Sequence, residues 1–411
     1  MTLTGPARRL SWILLLALLV RVAFVVACPQ APVVHDAAGY DADALRLAAG
    51  ETAAMTKGPI YPMFLAVIYR LFGHAQTVAR IVQALISTLS VWLIYLLADR
   101  VFHRQAAEVA AMIAAVYPAF ISYAGWLLTE TLSVFLLVAF TFLLVRAMGR
   151  PGVWAWAAAG FVGGITALHR EELLVIVVLS GLTAWWWRSG ARRIGVFAFA
   201  LGLTIFPWTV RNYVAYHDLV LVSPGAGQQA WISTVQVDGA RWDAGAPHMD
   251  EYRALADGVS PVEADRRLRR AALQRVMREP LSYLALCAKR IPAFWIGGHS
   301  NTFTNLAGSL ASYVRQRDYP RVCLKLLLLA FNLGVIVLGW VGIYLVWRVG
   351  VVETRYLIVL ALPVVVKALT HVFLLATLRY QVPIMPFLII FAACAIEHAR
   401  RVILEALPAH A

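Results

Sequence analysis

Long runs of apolar residues dominate the chain, and their lengths fit helices that cross a membrane. Crossing the hydrocarbon core of a bilayer takes about 20 mostly apolar residues in an α-helix. About ten runs meet this description, at roughly 10–28, 78–98, 106–125, 128–146, 152–168, 173–187, 194–209, 322–346, 356–376 and 382–397. The pair within 152–187 is short, and a further apolar segment lies at 281–297. The pattern therefore predicts an all-α polytopic membrane protein, with residues 1–411 forming one transmembrane domain.

Arginines alternate with these runs in a constant phase. They precede the first run, occupy every second short connection and follow the last run, as Arg8, Arg9, Arg100, Arg104, Arg146, Arg150, Arg188, Arg192, Arg193, Arg348, Arg355, Arg400 and Arg401. Because cytoplasmic connections are enriched in Lys and Arg, this phase predicts that both termini are cytoplasmic. The segments 29–77 and 210–321 are then extracytoplasmic, as are the turns near 126, 169–172 and 377–381.

Composition supports the membrane assignment. Hydrophobic residues make up 61% of the 411 residues, and charged residues only 14%. A soluble globular protein is nearer to half apolar and a quarter charged. The net charge of +14 does not indicate nucleic-acid binding, because the arginines fall between apolar runs, where they set topology and contact anionic lipids. The four cysteines have no metal-binding or disulfide spacing.

The first outer segment contains an acidic helix. Small and apolar residues recur at helical spacing between Ala38 and Ala49, and Asp36 lies where that helix begins. Asp36 is either an N-cap of a helix lying at the membrane surface or a general base held at the bilayer boundary. Tyr40 and Asp43 share its face, and Asp41 with Asp43 forms a DxD pair, which is a weak metal signal.

A second short helix is predicted directly afterwards. Lys57 precedes Pro59, Tyr61 and Pro62, and an apolar stretch to Phe72 follows. The prolines indicate a turn. The apolar stretch is too short to span a bilayer, so we expect it to lie in the interface.

Charged and aromatic residues also lie at the outer ends of the predicted spans, as Glu130, His169, Arg170, Arg211, Arg379 and Tyr380. One interpretation is that they anchor span ends in the headgroup layer. The other is a shared outer pocket for a phosphate, since guanidinium groups bind phosphate through two parallel hydrogen bonds. Several arginines at one depth, against the positive-inside bias, favour the pocket.

Two further features carry charge. Lys367 and His371 are four residues apart and so share one face of the ninth predicted span. They either face the bundle or a cavity, or Lys367 snorkels to the surface. Residues Pro261 to Arg278 form a basic amphipathic helix that we expect to rest on anionic headgroups.

Several segments, in this order and spacing, resemble the GT-C superfamily of membrane glycosyltransferases, in the branch of the protein O-mannosyltransferases and aminoarabinose-lipid A transferases. They are Asp36 to Asp41, Gly58 to Gly73, Leu128 to Leu132, Pro207 to Tyr213 and Leu378 to Pro383. The chain departs from larger members in ending soon after its last predicted helix. Its first outer loop is short, and His169-Arg170-Glu171 stands where relatives more often have Arg-Pro. These departures leave the acceptor open.

The resemblance implies a GT-C-like bundle with extracytoplasmic juxtamembrane helices, and an inverting transfer of a hexose or pentose from a polyprenyl-phosphate donor to an acceptor hydroxyl. Asp36 would be the general base and Glu130 a second acid near the donor. The residues expected to bind substrate or the donor phosphate are Tyr40, Lys57, Tyr61, His169, Arg170, Arg211, Lys367, His371, Arg379 and Tyr380. The acceptor would be a cell-envelope glycan, a lipid or a protein.

The same resemblance implies no cofactor, and no divalent metal is indicated. It places the protein in the cytoplasmic (inner) membrane of a bacterium, among membrane lipids, with its active site facing the periplasm. A transporter or flippase of lipid-linked substrates without covalent chemistry is the alternative. An accessory subunit that only binds lipid is a third interpretation.

Overall fold

The protein is described by a computed structural model covering residues 5–28, 36–51, 55–149, 152–187, 190–236, 248–350 and 352–406. All regular structure in these residues is helical. The helices before residue 150 are α1 (Gly5–Ala27), α2 (Asp36–Ala48), α3 (Ile60–Phe72), α4 (Gln76–Val101), α5 (Arg104–Val116), α6 (Pro118–Ser122) and α7 (Glu130–Met148).

The middle of the chain holds two short apolar helices, a long one and a group that follows the long one. They are α8 (Val153–His169), α9 (Leu173–Trp186), α10 (Ala191–Tyr216), α11 (Ala226–Ser233), α12 (Met249–Ala256), α13 (Pro261–Arg278), α14 (Pro280–Trp295) and α15 (Leu310–Arg315). We call α11 to α15 the outer helices, because the arginine phase predicts that they are extracytoplasmic. The last part consists of α16 (Tyr319–Val349), α17 (Thr354–Phe373), α18 (Leu378–Gln381) and α19 (Met385–Ala406).

Seven of the described helical segments are long and apolar enough to cross a membrane. They are α1, α4, α7, α10, α16, α17 and the segment Leu378–Ile403 that joins α18 to α19. The bent pair α5–α6, with a bend of 54°, would be an eighth. The helices α8 and α9 have 17 and 14 residues and are shorter than these spans. The predicted apolar runs lie mainly in helical segments, and the all-helical polytopic fold is confirmed.

The centre of the bundle is α19, against which α16, α5 and α17 pack. Phe387 and Phe391 on α19 are fully buried. Gly342 on α16 is required there, because a Cβ atom at that position would lie 2.0 Å from the carbonyl oxygen of Phe391. Without a hydrophobic driving force between helices in lipid, small residues of this kind let membrane helices approach closely.

A buried arginine in α1 supports the bend after α5. The Nε atom of Arg21 donates to Ser87 Oγ at 2.7 Å, and its NH1 and NH2 atoms donate to the carbonyl oxygens of Ala115 and Ala114 at 2.8 and 3.1 Å. The last carbonyls of a helix have no partner within it, and Pro118, which follows α5, offers no N–H group. Arg21 therefore caps α5 from another helix.

The outer helices differ from the sequence expectation. The basic helix at 261–278 is present as α13, and its N-cap Ser260 accepts a hydrogen bond from the Glu263 N–H at 3.2 Å. Leu268 and Ala272 on its apolar face pack against Trp231 of α11, whereas Leu273 and Met277 are exposed. Between α10 and α13, the described residues also form α11 and α12.

The predicted interfacial helix is present as α3, with 13 residues. It packs against α2 through Tyr61 and Leu65, which contact Tyr40 and Ala44 in one buried cluster. This pairing fixes the position of the N-terminal residue of α2, Asp36, relative to the loop that precedes α3.

Candidate active site

Helix ends from distant parts of the chain meet on one side of the bundle. The starts of α2, α7 and α9 lie there with the ends of α8 and α17 and the short helix α18. Their charged residues form a continuous series of ion pairs, which we call the charged network. Its members are Lys57, Asp36, Arg379, Glu130, Arg170, Glu172, Lys367 and His371.

The open end of the network is formed by Asp36, whose side chain is 47% exposed. Its Oδ1 atom accepts from Lys57 Nζ at 2.9 Å, and its Oδ2 atom accepts from Arg379 NH1 at 2.7 Å. The carboxylate therefore binds two cations. Burial raises the pKa of the Asp36 carboxyl, but Arg379 and Lys57 outweigh that effect and hold the pKa well below its usual range. Asp36 is ionised at neutral pH.

The middle of the network crosses from α18 to α7 and to the turn after α8. Arg379 Nε donates to Glu130 Oε1, and Arg170 NH1 donates to the same oxygen at 3.4 Å. Arg170 Nε then pairs with Glu172 Oε1 at 3.0 Å. Glu130 is fully buried, and its Oε2 atom has no hydrogen-bond partner among the described residues. Arg379 is thus held between two carboxylates from different helices.

The buried end of the network contains Lys367, whose side chain is 2% exposed. Its Nζ atom lies 2.5 Å from Glu172 Oε1 and 3.0 Å from His371 Nε2. Burial raises the pKa of the Glu172 carboxyl, but Lys367 and Arg170 outweigh burial and hold the pKa well below its usual range. Lys367 and His371 therefore face the bundle interior, and Lys367 does not snorkel to the surface.

Positive charge exceeds negative charge in this network. The four cations, Lys57, Arg170, Lys367 and Arg379, face the three carboxylates of Asp36, Glu130 and Glu172, which leaves one net positive charge with His371 neutral. Charges in a membrane-level site are costly unless they are paired. The surplus therefore favours binding of one additional anion, and the accessible place for it is the open end.

Aromatic rings hold the cations in place. Lys57 Nζ lies 4.5 Å from the centre of the Tyr40 ring, and Arg170 lies 5.2 Å from the centre of the Tyr380 ring. The His371 ring stacks against the Tyr380 ring, with ring centres 4.5 Å apart and planes 8° apart. Burial raises the pKa of Tyr40 to about 12, with Arg379 opposing the effect, so Tyr40 stays neutral.

Two predicted residues, Tyr61 and His169, pack behind these side chains. Tyr61 OH donates to Gln83 Oε1 at 2.8 Å, and its ring meets the edge of Tyr40 at 5.1 Å. His169 Nε2 lies 3.0 Å from both Thr129 O and Ser133 Oγ, so it ties the end of α8 to α7. Both residues orient the network and are not members of it.

Arg211 and the DxD pair of Asp41 and Asp43 contact other residues than the members of the charged network in the described contacts. Arg211 lies over the Trp208 ring at 4.8 Å and contacts Asn212 Oδ1 at 3.0 Å, both on α10. Asp41 accepts from Tyr69 OH and contacts His74 at 2.9 Å, whereas Asp43 pairs with Arg46. Within the described residues, no group of three His, Cys, Asp or Glu side chains is arranged to hold a metal ion.

Sequence reasoning missed the importance of Glu172. It lies in the His169-Arg170-Glu171-Glu172 stretch, and it joins Arg170 to Lys367 and His371. Arg290 was also missed. Its NH2 atom donates to Gln236 O at 2.8 Å, and its NH1 atom donates to Val372 O at 3.4 Å, so it joins α14 to the end of α17 beside the network. One sequence feature could have identified both residues, because each is a charged residue next to or within an apolar run.

Comparison with known proteins identifies the fold. Residues 56–210 match the sequence model of a family described as dolichyl-phosphate-mannose-protein mannosyltransferase. The structure is similar to that of the oligosaccharyltransferase AglB from Archaeoglobus fulgidus in complex with an inhibitory peptide and a dolichol-phosphate, with a TM-score of 0.56 and 14% identity over 98% of this chain. The chain has the GT-C fold.

Two further structures were compared with this GT-C fold. The Archaeoglobus fulgidus oligosaccharyltransferase tethered to an acceptor peptide gives a TM-score of 0.58 at 14% identity, covering 96% of this chain and 50% of that one. ArnT from Cupriavidus metallidurans bound to undecaprenyl phosphate gives a TM-score of 0.42 at 17% identity, covering 97% and 81%. No curated protein sequence matches the chain.

This GT-C chain spans about half the length of AglB, of which 52% is covered. The family match includes Lys57, Glu130, Arg170 and Glu172, whereas Asp36 and Arg379 lie outside it. The expected resemblance and the polytopic membrane fold are confirmed.

Proposed function

We propose that the protein is an inverting glycosyltransferase that moves a sugar from a polyprenyl-phosphate donor to an acceptor hydroxyl. The observation that carries the proposal is the open end of the charged network, where Asp36 lies between Lys57 and Arg379. A carboxylate beside two cations at the surface of a GT-C fold supports the roles of a general base and of two phosphate ligands. The arginine phase supports an extracytoplasmic position for this end.

The donor phosphate would bind Lys57 and Arg379. Their side chains are 36% and 21% exposed, so both are accessible to a ligand. Arg379 is held by Glu130 from the buried side, which orients its guanidinium group toward the opening. Positive charge placed where the leaving phosphate gains negative charge stabilises the transition state. Glu130 would therefore act by positioning Arg379.

The acceptor hydroxyl would lose its proton to Asp36. In the transfer, the bond between the anomeric carbon and the phosphate oxygen breaks, the acceptor oxygen bonds to that carbon from the opposite face, and the proton goes to Asp36. With Lys57 and Arg379 both bound to it, Asp36 is a weak base. A donor phosphate that shares these cations would raise the pKa of Asp36 and strengthen the base when the donor is present.

The remaining predicted residues support this donor site from behind. Lys367 and His371 hold Glu172, and Glu172 in turn orients Arg170 toward Glu130. Arg211 remains a proposed phosphate ligand from the side of α10. The proposal includes no cofactor. The acceptor is a cell-envelope glycan, a lipid or a protein, and the membrane is the inner membrane of a bacterium.

The substitution Asp36→Asn tests the proposal. It keeps the size of the side chain and removes the proton acceptor, and loss of a general base typically slows a reaction by about 10²–10⁴-fold. Purified Asp36→Asn protein should bind a polyprenyl-phosphate sugar and transfer it hundreds of times more slowly. Asp43→Asn is the matched control, because Asp43 lies on the same helix and pairs with Arg46. It should retain activity.

Three measurements separate the alternatives. Normal turnover in Asp36→Asn contradicts the assignment of the base. A transporter would move labelled lipid-linked sugar across the membrane of reconstituted vesicles without forming a glycosidic bond. Wild type and Asp36→Asn would then transport it equally well. Mass spectrometry of envelope glycans from a deletion strain should reveal a missing sugar, and it would identify both the sugar and the acceptor.

A further inference from the structure

A separate cavity lies at the end of the bundle opposite the charged network. It has a volume of about 250 Å³ and lies between the connection from α4 to α5, the last turn of α16 and the C-terminal half of α19. Arg379 and Arg401 are at the two ends of the same apolar segment, which places them roughly 33 Å apart along the helix axis. The cavity is therefore independent of the proposed transfer site.

The lining of this cavity is divided by polarity. Phe102, Val346 and Val349 form apolar walls, and His103, His398 and Arg401 form a polar, basic end. A lining of this kind fits a ligand with a charged head and a hydrocarbon tail. A site of about 250 Å³ accommodates a headgroup and the first part of one chain.

The charge of Arg401 has no carboxylate partner among the ion pairs of the described residues. Its NH2 atom contacts His103 Nε2 at 3.0 Å and Gln105 Oε1 at 3.3 Å, and both atoms are neutral acceptors. Its neighbour Arg400 behaves differently, because it pairs with Glu397 at 3.4 Å. Arg401 is exposed at this end of the bundle, so its guanidinium group is accessible to an anion, which it binds through charge-assisted hydrogen bonds. The cavity thus combines apolar walls with an accessible cation.

We propose that this cavity binds an acidic phospholipid from the leaflet at this end of the bundle. The phosphate of the headgroup would contact Arg401 and His398, and one acyl chain would lie against Phe102, Val346 and Val349. Basic residues near a membrane surface attract anionic lipids. In this cavity, Arg401 lies next to the apolar surface formed by Phe102, Val346 and Val349.

Native mass spectrometry of the full-length protein in detergent tests this proposal. Delipidated protein is titrated with phosphatidylglycerol and with phosphatidylcholine of the same chains. We expect one phosphatidylglycerol to bind about fivefold or more tightly than phosphatidylcholine. Arg401→Gln should remove this preference. Arg400→Gln is the matched control, since it removes the same charge one residue away, and it should keep the preference.

A second variant tests the apolar part. Val349 lines the cavity and is exposed at the end of α16, so Val349→Trp fills the space with little effect on folding. It should weaken binding of both lipids while leaving thermal stability unchanged. Equal binding of the two lipids by the wild type, or equal loss in Arg400→Gln and Arg401→Gln, overturns the proposal. Displacement of the lipid by inorganic phosphate at equal concentration overturns it as well, because the site would then bind a free anion.

Discussion

Arg379 is the residue of the network whose side-chain geometry is most constrained, because it bridges carboxylates on two different helices. Its NH1 and Nε atoms point to Asp36 and Glu130. A planar guanidinium can contact two acids at fixed angles, whereas a lysine ammonium is a single point charge. Arginine therefore determines the geometry of this site as well as its charge.

Arg379→Lys should impair transfer even though it keeps the positive charge. We expect kcat/KM for the donor to fall by about tenfold or more, because a lysine at position 379 can keep the contact with only one of the two carboxylates. Arg400→Lys, at the other end of the bundle, is the control and should have wild-type kinetics. Kinetics of Arg379→Lys that match those of the control would show that charge alone is sufficient.

Glu171 and Glu172 are adjacent but have opposite surroundings. Glu172 binds Arg170 and Lys367. Glu171 contacts the Ser223 hydroxyl, and burial, together with the nearby charge of Glu172, raises the pKa of Glu171 to about 7. Sequence alone could not distinguish the two, because the difference depends on residues from α17 and from the loop after α10.

The raised pKa of Glu171 predicts a pH-dependent stability. The folded protein favours the protonated carboxyl, so raising the pH from about 4.5 to about 7 ionises the unfolded chain first and lowers the free energy of unfolding. The melting temperature of the wild type should therefore fall across this window. Glu171→Gln, which stays neutral, should show a smaller fall. Glu263→Gln, on the outer helix α13, should follow the wild type; identical slopes for all three proteins would contradict the prediction.

At the scale of elements, Arg21 connects α1 to the end of α5. Replacing it by Met leaves the carbonyls of Ala114 and Ala115 without these hydrogen bonds. A buried group left unpaired costs about 1–3 kcal/mol. We expect Arg21→Met to lower the melting temperature measured in detergent. Arg9→Gln on the same helix, which removes an exposed pair with Glu108, should change it little. Equal melting temperatures would show that α5 does not depend on this cap.

The loop before α3 depends on a glycine. A Cβ atom at Gly58 would lie 2.4 Å from the carbonyl oxygen of His169. Gly58→Ala must therefore shift the loop and the neighbouring Lys57, and it should reduce transfer while the protein still inserts and purifies. Gly152→Ala is the control, because nothing lies within 4 Å of a Cβ atom there. Unchanged transfer in Gly58→Ala would show that activity does not depend on the exact position of Lys57.

The sequence predicts membrane helices better than outer helices for a physical reason. A spanning helix needs a long apolar run, which is visible in the sequence by itself. The helices α11 and α12 have only eight residues each. Their apolar residues are buried only through tertiary packing, as Trp231 is against Leu268. Similarly, Asp36 and Arg379 could each be proposed from their positions at span ends, but their pairing depends on the tertiary fold.

At the scale of the whole molecule, the arginine phase predicts the side of the membrane on which the network lies. Single cysteines introduced at Gly190 and Asp257 in a cysteine-free background test this orientation. An impermeant maleimide should label residue 257 in intact cells and residue 190 only after permeabilisation. The reverse pattern would place the network on the cytoplasmic side.

The pairing of Asp36 with Arg379 also has a consequence for biosynthesis. The two residues are 343 positions apart, and at about 5–20 residues per second a ribosome needs roughly 17–70 s to reach the second after the first. During this interval Asp36 and Glu130 are already translated while their shared arginine is not. Completion of the site must therefore await insertion of the final helix, and a chain stalled before it would lack the arginine that joins Asp36 to Glu130.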